Sequence, residues 1–318
     1  MKIKKKIYLA GFRINQISKI KKKFKEADFI FEKKITNKFN LCDGIVGITR
    51  ISLEEVLKRI NFKNNKKIKW IHLPGAGVDK YSYLKNFNNL VYTNGKIIQG
   101  IQVSDHAMGL LLTLSRNINL ILKHGQNAKF KKRPIELNNK KALIVGYGGV
   151  GTCLAKKAHS FGMQVNVVNN EKVKKPKFIK NFFLSKRLNI AAKNIDILFI
   201  TSPLTKNTKK MINEKIIKKL NKGAIVINVS RGGCLCLDSL KKHLKNGHLN
   251  GAGLDVTEPE PLPKNHPLFK LKNVVITPHI AGISDNFAYR NFKLITDNIE
   301  RYINNKKLIN IVNFKRGY

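Results

Sequence analysis

The sequence predicts an α/β protein of two domains, each built on a parallel sheet. Short apolar runs alternate with amphipathic segments from residue 3 to residue 73, and the alternation returns from residue 142 to residue 276. Strands that are separated by helices pair in parallel, so each series favours its own parallel sheet. The length of 318 residues suits two domains of ordinary size.

The first series predicts short strands connected by basic amphipathic helices. Its strands are expected at 3–9, 29–31, 44–48 and 68–73, and its helices at 16–25 and 53–60. The next segment, 104–123, is apolar on most of a helical surface. We therefore expect one long, largely buried helix there, which joins the two domains.

The second series predicts a larger sheet. Its strands are expected at 142–145, 164–168, 195–201, 224–228, 251–254 and 274–276. Helices are expected at 149–161, at 213–220 with Asn213 as its cap and Gly223 past its end, from the cap Asp238 to near Asn246, and at 285–303.

The net charge of +43 raises the question of a nucleic-acid or membrane partner. The basic residues are mostly Lys spread along the whole chain, and Asn and Ile are abundant, as A/T-rich codons would produce. We therefore expect no nucleic-acid partner, although a positive field would attract anionic substrates. No apolar run reaches the ~18 residues that span a bilayer, and the first apolar stretch is too short for a signal peptide. Four scattered cysteines fit reduced thiols in the cytoplasm.

A glycine-rich turn follows the first strand of the second series. Its residues are Gly146, Tyr147, Gly148, Gly149, Val150 and Gly151. The three glycines of this G-x-G-x-x-G pattern allow a tight turn, approach of a pyrophosphate to the backbone, and close packing of helix on strand. The helix N-terminus then offers N–H groups to phosphate, so the turn predicts a dinucleotide site.

The end of the next strand carries the information on NAD against NADP. An acidic residue there would hold the ribose hydroxyls and repel a 2′-phosphate. The expected position is Asn169, followed by Asn170 and Glu171, with Lys172, Lys174 and Lys175 close behind. The missing carboxylate favours NADP slightly, and NAD stays open because Glu171 could turn inward.

Three polar residues follow three predicted strands of the second series. Arg231 lies in Asn-Val-Ser-Arg-Gly, Glu260 in Asp-Val-Thr-Glu-Pro-Glu-Pro, and His279 in Thr-Pro-His-Ile. A guanidinium can hold a carboxylate, an imidazole can move a proton, and a carboxylate can keep that imidazole charged. Such groups beside a dinucleotide site suggest hydride transfer to or from a small 2-oxo or 2-hydroxy acid.

These motifs together resemble the D-isomer-specific 2-hydroxyacid dehydrogenases over nearly the whole chain. The family-like segments are Pro74–Asp79, Ser104–Met108, the glycine-rich turn, Ser202–Thr205, Asn228–Gly233, Gly253–Pro261, Thr277–Ile280 and the terminal Asn310–Asn313 and Arg316–Tyr318. The stretch from Gly253 to His279 is especially similar to glyoxylate/hydroxypyruvate reductases.

The resemblance implies a role for each matching position. Arg231 would bind the substrate carboxylate and polarise its C2 oxygen, His279 would act as general acid or base, and Glu260 would pair with His279. The backbone N–H groups of Ala76 and Gly77 would hold the carboxylate from the other domain. The cofactor contacts would come from Gly146, Gly148, Gly149, Val150, Gly151, Asn169, Asn170, Ser202, Pro203, Val229, Ser230 and Asp255. We take His106 as structural and Cys234 and Cys236 as packing residues, with no metal site.

The architecture implied is two Rossmann-like domains, flavodoxin-like and dinucleotide-binding, with the active site in an interdomain cleft. Residues 1–100 and 288–318 are expected to form the substrate-binding domain, and residues 101–287 the dinucleotide-binding domain. The resemblance also implies a homodimer, with the helix containing Met108 to Ile121 in its interface.

The related formate dehydrogenases pair their histidine with an amide, so Glu260 argues against that activity. Two kinds of alternative function stay open. One is a 3-phosphoglycerate or other D-2-hydroxyacid dehydrogenase, of which the first is disfavoured because the length leaves no room for the regulatory extension that many 3-phosphoglycerate dehydrogenases carry. A corepressor-like protein that senses a nicotinamide cofactor would use the same fold and could exploit the high charge.

Overall fold

The computed structural model describes residues 4–87, 89–127 and 133–317, so Ile3 and Tyr318 lie outside the described residues. The chain forms two compact units, Met1–Ile98 with Asp285–Tyr318, and Gln99–Ser284. Each unit has its own parallel sheet. The predicted α/β class with two parallel sheets is therefore confirmed.

The first unit is a five-stranded sheet with helices. Its strands are β1 (Lys6–Ala10), β2 (Asp28–Ile30), β3 (Gly44–Gly47), β4 (Trp70–Leu73) and β5 (Val91–Asn94), and its α-helices are α1 (Ile14–Lys23), α2 (Arg50–Arg59) and a last helix at Phe287–Ile303. The order β2-β1-β3-β4-β5 with parallel pairing is the flavodoxin-like arrangement. Apolar side chains of β1 alternate between two cores, with Ile7 and Leu9 on one face and Tyr8 and Ala10 on the other. Burial of both faces is what a parallel sheet requires.

The second unit is a seven-stranded sheet in the order β12-β11-β10-β9-β6-β7-β8. Its strands are β6 (Lys141–Val145), β7 (Gln164–Asn169), β8 (Ile179–Leu184), β9 (Ile197–Ile200), β10 (Ala224–Asn228), β11 (Leu249–Leu254) and β12 (Val274–Ile276). Its α-helices are α3 (Gly100–Ser115), α4 (Ile118–His124), α5 (Gly149–Ser160), α6 (Leu188–Ala191), α7 (Glu214–Ile217) and α8 (Leu237–Lys245). The chain reverses direction across the sheet between β6 and β9, the switch point at which such sheets bind ligands.

Short 3-10 helices complete both units. They lie at Lys38–Leu41, Asp79–Asn86, Gly125–Asn127, Ser185–Arg187, Gly232–Cys234 and Pro267–Lys270.

The second sheet also lies between two cores. In the second unit, Leu143 and Val145 of β6 face one core, while Ala142 and Ile144 face the other. Both faces of the second sheet are therefore buried, as in the first unit.

The predicted helix over 104–123 is wrong as a single element. It is two helices, α3 and α4, separated at Asn117, whose φ of 57° is left-handed. Met108 and Leu111 of α3 are buried against the second sheet, whereas Ile121 and Leu122 of α4 are 43% and 80% exposed. Helix propensity and apolar content run through the whole segment and therefore predicted one helix. The side chains are buried only up to the turn at Asn117, and those of α4 are largely exposed.

Other boundaries moved by a turn or less, and two strands were missed. Cys236, not Asp238, is the N-cap of α8, and Asp238 pairs with Lys241 at 3.1 Å. Asn213 is confirmed as the cap of α7, accepting from the backbone N–H of Ile216. Strands β5 and β8 are partly polar, so their sequences lack the continuous apolar run by which the others were found.

Candidate active site

Arg231, Glu260 and His279 all follow strands at the carboxyl edge of the second sheet. Strands β10, β11 and β12 are neighbours, and their last residues pair in register, Asn228 with Leu254 and Leu254 with Ile276. The loops after these strands therefore start at one level along the edge. The sheet brings together residues that are 29 and 19 positions apart in the chain.

The turn that carries Arg231 is held by the last residue of β10. The Oδ1 atom of Asn228 accepts from the backbone N–H and the hydroxyl of Ser230, both at 3.1 Å. Its amide N–H donates to the carbonyl of Arg231 at 3.0 Å. Asn228 is 1% exposed, so its side chain defines the path of the turn. This role of Asn228 was not predicted.

Glycine at position 232 lets the Arg231 turn pack against the segment that leads to Glu260. A Cβ atom on Gly232 would lie 2.0 Å from the backbone of Thr257. No side chain fits at such a distance, because the obstructing atoms are backbone. The hydroxyl of Thr257 donates to the carbonyl of Pro259 at 2.8 Å and braces the turn before Glu260.

His279 and Glu260 form a direct pair. The Nδ1 atom of His279 lies 2.5 Å from Oε1 of Glu260, and their side chains are 45% and 41% exposed. The backbone of His279 is left-handed, with φ at 54°. This conformation is costly for a residue with a Cβ and persists where surrounding contacts hold it. With Nδ1 on the carboxylate, Nε2 is the ring nitrogen left for a substrate.

The glycine-rich turn has the geometry of a dinucleotide cradle. Gly146 has a φ of 105°, and a Cβ there would lie 2.6 Å from the backbone nitrogen of Ser202. A Cβ on Gly151 would lie 2.0 Å from the carbonyl oxygen of Gly146. Gly148, the N-cap of α5, faces open space. Two glycines thus serve close packing, and the middle one leaves room for a phosphate group.

Ser202 and Pro203 follow β9, directly across the switch point from the glycine-rich turn. Ser202 is 7% exposed, and within the described residues its hydroxyl has no hydrogen-bond partner. The preceding Thr201 donates to the carbonyl of Gly146 at 2.6 Å. A buried hydroxyl without a protein partner beside an open cradle fits a bound cofactor. Val229 and Ser230 lie at the end of β10, the next strand.

Asn169 braces the cradle from the end of β7. Its Oδ1 accepts from the backbone N–H of Tyr147 at 3.2 Å, and its Nδ2 donates to the carbonyl of Glu171 at 3.0 Å. Asn170 and the following residues through Lys175 are exposed. The structure therefore gives Asn169 a scaffolding contact in addition to the cofactor contact predicted for it.

Asp255 is anchored in the loop that carries His279. It is 2% exposed, and its carboxylate accepts from the backbone N–H groups of Ile280 and Ala281, both at 3.0 Å. It was predicted as a cofactor contact. That contact stays a prediction, and the structure adds a supporting role that the sequence pattern did not reveal.

In the first unit, Ala76 and Gly77 belong to a loop after β4. The carbonyl of Ala76 accepts from Nδ2 of Asn94 at 2.8 Å, and Gly95 donates its N–H to the carbonyl of Gly75 at 2.6 Å. Among the described residues, the backbone N–H groups of Ala76 and Gly77 donate to no protein acceptor. Two adjacent free donors are what a carboxylate ligand needs.

Cys234 is buried and Cys236 partly buried, as expected of packing residues. Within the ranges that the structure describes, three or more metal-type side chains nowhere come together as a metal site would require. None of the helices in those ranges combines the length and apolar character needed to cross a bilayer.

Comparison with known proteins places the chain in a family. Residues 108–281 match the family model for the D-isomer specific 2-hydroxyacid dehydrogenase, NAD binding domain. The chain belongs to the D-isomer specific 2-hydroxyacid dehydrogenase family. Members of this family are NAD(P)-dependent oxidoreductases, so the predicted family and nicotinamide cofactor class are confirmed.

Curated members of the dehydrogenase family match with different coverage. The chain is 30% identical to the glyoxylate reductase of Thermococcus litoralis over 88% of this chain and 86% of that one. It is 36% identical to the glyoxylate reductase of Thermofilum pendens over 62% of this chain. The chain spans 48 to 60% of the length of three curated relatives, and the Thermofilum pendens enzyme is one of them.

Solved structures of the dehydrogenase family share the fold. The apo D-mandelate dehydrogenase of Rhodotorula graminis superposes with a TM-score of 0.84, at 21% identity and with 98% of both chains covered. The fold prediction is therefore confirmed for the chain as a whole.

Proposed function

We propose that this protein reduces a small 2-oxo acid to the D-2-hydroxy acid with NADPH or NADH, with glyoxylate or hydroxypyruvate as the favoured substrate. The observation that carries the proposal is the His279–Glu260 pair, at 2.5 Å, on the same sheet edge as Arg231. The cradle formed by Gly146, Gly148 and Gly151 follows β6 of the same sheet.

Each residue has a role that follows from its atoms. The guanidinium of Arg231 holds the substrate carboxylate and polarises the C2 carbonyl. His279 delivers a proton from Nε2 to the C2 oxygen as negative charge develops there. Glu260 accepts from Nδ1 and stabilises the charged imidazole before the proton leaves. The reaction consumes one 2-oxo acid, one hydride and one proton and yields one 2-hydroxy acid.

The cofactor would be held by the cradle and by the strand ends beside it. The N–H groups of Gly149 and Val150 at the start of α5 suit the pyrophosphate, and Ser202, Pro203, Val229 and Ser230 suit the remainder. When bound, the nicotinamide supplies the hydride. Lys172 and Lys174, exposed after β7, suit a 2′-phosphate, which supports the slight preference for NADP over NAD.

The substrate contacts assigned to Ala76 and Gly77, the domain limits and the homodimer stay predictions. Exposed Ile121 and Leu122 on α4 support an interface near the residues predicted for it. Size-exclusion chromatography with light scattering measures the oligomeric state, and a monomer at micromolar concentration would contradict the homodimer.

A steady-state assay tests the function. NADPH and NADH are offered with glyoxylate, hydroxypyruvate, pyruvate, phenylpyruvate and 3-phosphohydroxypyruvate, and loss of reduced nicotinamide is followed. We expect turnover with glyoxylate or hydroxypyruvate, and D-glycerate by chiral chromatography when hydroxypyruvate is used. Preference for the phosphorylated acid would favour the 3-phosphoglycerate alternative. Cofactor binding without turnover on any of the five acids would contradict the proposal.

A further inference from the structure

Asp255 binds the loop of His279 through three consecutive backbone amides. Its carbonyl oxygen accepts from the N–H of His279 at 2.9 Å. Its carboxylate oxygens accept from the next two N–H groups, those of Ile280 and Ala281, at 3.0 Å. One buried residue therefore determines the path of the backbone through the left-handed conformation of His279.

The same residue is connected to the turn of Arg231. The backbone N–H of Asp255 donates to the carbonyl of Asn228 at 2.9 Å. The side chain of Asn228 in turn holds Ser230 and Arg231. Asp255 thus lies between the two loops whose side chains are proposed to act on the substrate.

His106 supports Asp255 from helix α3. Its Nε2 atom lies 2.8 Å from the hydroxyl of Thr277 and 3.5 Å from Oδ1 of Asp255. The hydroxyl of Thr277 lies 2.6 Å from the same Oδ1 atom. A carboxylate only accepts, so the single hydroxyl proton of Thr277 is donated to Asp255. The hydroxyl must then accept from His106, which requires a proton on Nε2.

We propose that His106 is a positioning residue for the reaction: its Nε2–H, through the hydroxyl of Thr277, orients the carboxylate of Asp255 that holds the His279 loop. This inference rests on the proposed function for its kinetic part. It goes beyond the expectation that His106 is structural, because it ties the residue to the conformation of the His279 loop. His106 acts through Thr277 and Asp255, and it need not contact the substrate.

The test compares substitutions that remove or retain the donor. His106→Leu removes the Nε2–H at similar size, and His106→Gln places an amide N–H near the same point. Thr277→Val removes the hydroxyl and keeps the shape. His248→Leu is the matched control, because His248 is also partly buried in this unit and bonded through Nε2, to the carbonyl of Ile217 at 3.1 Å.

We expect a fall in kcat of about tenfold for His106→Leu and Thr277→Val, within the ~100-fold that a misplacement of about 1 Å can cost. The dissociation constant for NADPH should change less than kcat, because the glycine-rich turn follows β6 and is not part of this chain of hydrogen bonds. His106→Gln should recover most of the activity. The double variant His106→Leu/Thr277→Val should fall no further than either single one, since both break one chain of hydrogen bonds.

Hydrogen exchange supplies a readout that needs no turnover. The amides of His279, Ile280 and Ala281 should exchange faster in His106→Leu and Thr277→Val, and at the wild-type rate in His106→Gln and His248→Leu. Unchanged exchange in both donor-removing variants would overturn the inference, as would additive losses in the double variant. If the wild type shows no turnover, only the proposed function is contradicted. The role of His106 is then still decided by the exchange comparison.

Discussion

Two histidines in this protein have opposite surroundings. His72 lies inside strand β4 of the first unit and is 0% exposed, whereas His279 lies in the loop after β12 and its side chain is 45% exposed. His72 meets a neutral hydroxyl, that of Thr93, at 2.9 Å, and His279 meets the carboxylate of Glu260. Residue type alone does not distinguish them. Burial disfavours the charged form of the His72 ring, whereas the His279 ring is partly exposed beside a carboxylate.

The interior environment of His72 excludes its charged form. Burial lowers the pKa of His72 to about 4, and among the described residues its Nε2 atom has no partner. The indole N–H of Trp70 donates to the Thr93 hydroxyl, which leaves the hydroxyl proton for Nδ1 of His72. His72 is thus a neutral part of the core.

Removal of the exposed imidazole should have the largest effect. His279→Asn should lower kcat by roughly 10²–10⁴, the range for loss of a general acid. Cofactor affinity and thermal stability should stay at the wild-type values, because the side chain is partly exposed. Stopped-flow kinetics measures kcat, cofactor fluorescence measures cofactor affinity, and thermal unfolding measures stability. Near-normal turnover would remove His279 from the chemistry.

The next largest effect is expected at Arg231. Arg231→Ala should lower kcat/KM by roughly 10²–10³ and raise KM for the 2-oxo acid, because the carboxylate loses its cation and the C2 oxygen its polarising group. Arg231→Lys should recover only part of this, since an ammonium lacks the forked geometry. Wild-type kinetics in Arg231→Ala would mean that the guanidinium does not bind the substrate.

The buried histidine should appear in stability rather than in activity. Its pKa is about 6.5 in the unfolded chain and about 4 in the folded one, so the unfolded chain binds more protons between these values. The contribution of the neutral His72 to the free energy of unfolding is therefore fully present above pH 6.5 and is lost as the pH falls toward 4. The loss is about 3 kcal/mol, at 1.36 kcal/mol per pKa unit.

Urea unfolding of wild type and His72→Leu at several pH values in this window measures that loss. The variant should lack this acid-sensitive loss, so the free energy of unfolding of the wild type should fall relative to that of the variant on acidification. His124→Leu, at an exposed position, is the control and should follow the wild type. Parallel loss of stability in wild type and His72→Leu would show that His72 does not resist protonation.

A smaller effect is expected for the partner of His279. Glu260→Gln should lower kcat about tenfold, the scale of one hydrogen bond to a charged group. An amide can still accept at Nδ1 but does not stabilise a charged imidazole to the same degree. Substrate KM should stay nearly constant, which separates this residue from Arg231. A change in KM alone would indicate that Glu260 binds the substrate directly.

The smallest effect concerns the exposed segment after β7. Removal of both lysines, Lys172→Ala with Lys174→Ala, should raise KM for NADPH about threefold and leave KM for NADH unchanged, because exposed charge pairs contribute little. Lys222→Ala, just before β10 at the amino edge of the sheet, is the control for a general loss of positive charge. Equal changes for both cofactors would contradict phosphate recognition by these lysines.

Much of the site was predictable because it follows strands that the sequence marks clearly. The apolar runs before Arg231 and His279 coincide with β10 and β12 at both ends, 224–228 and 274–276. The glycine pattern predicted a tight turn and close packing, and Gly146 has a φ of 105° while a Cβ on Gly151 would lie 2.0 Å from the carbonyl oxygen of Gly146. The parts missed were β5 and β8, whose polar residues hide the period, and the break at Asn117.

The supporting contacts were beyond the reach of sequence patterns. Asp255 and His106 are 149 positions apart in the chain. Asn169, at the end of β7, accepts from Tyr147, which follows the neighbouring strand β6. Such pairs follow from sheet order and helix packing. No local signal marks a histidine within a helix as the support for a loop that lies far along the chain.

Sequence by itself determined the α/β class, the dinucleotide turn, and the residue types able to bind a carboxylate and move a proton, since these depend on local periodicity and side-chain chemistry. Tertiary structure alone decided which histidine is buried and which lies exposed beside a carboxylate, which polar residues act as supports, and where a continuous apolar segment divides into two helices. The physical reason is that burial, the dielectric around a group and the geometry of its hydrogen bonds are set by neighbours that are distant in the chain.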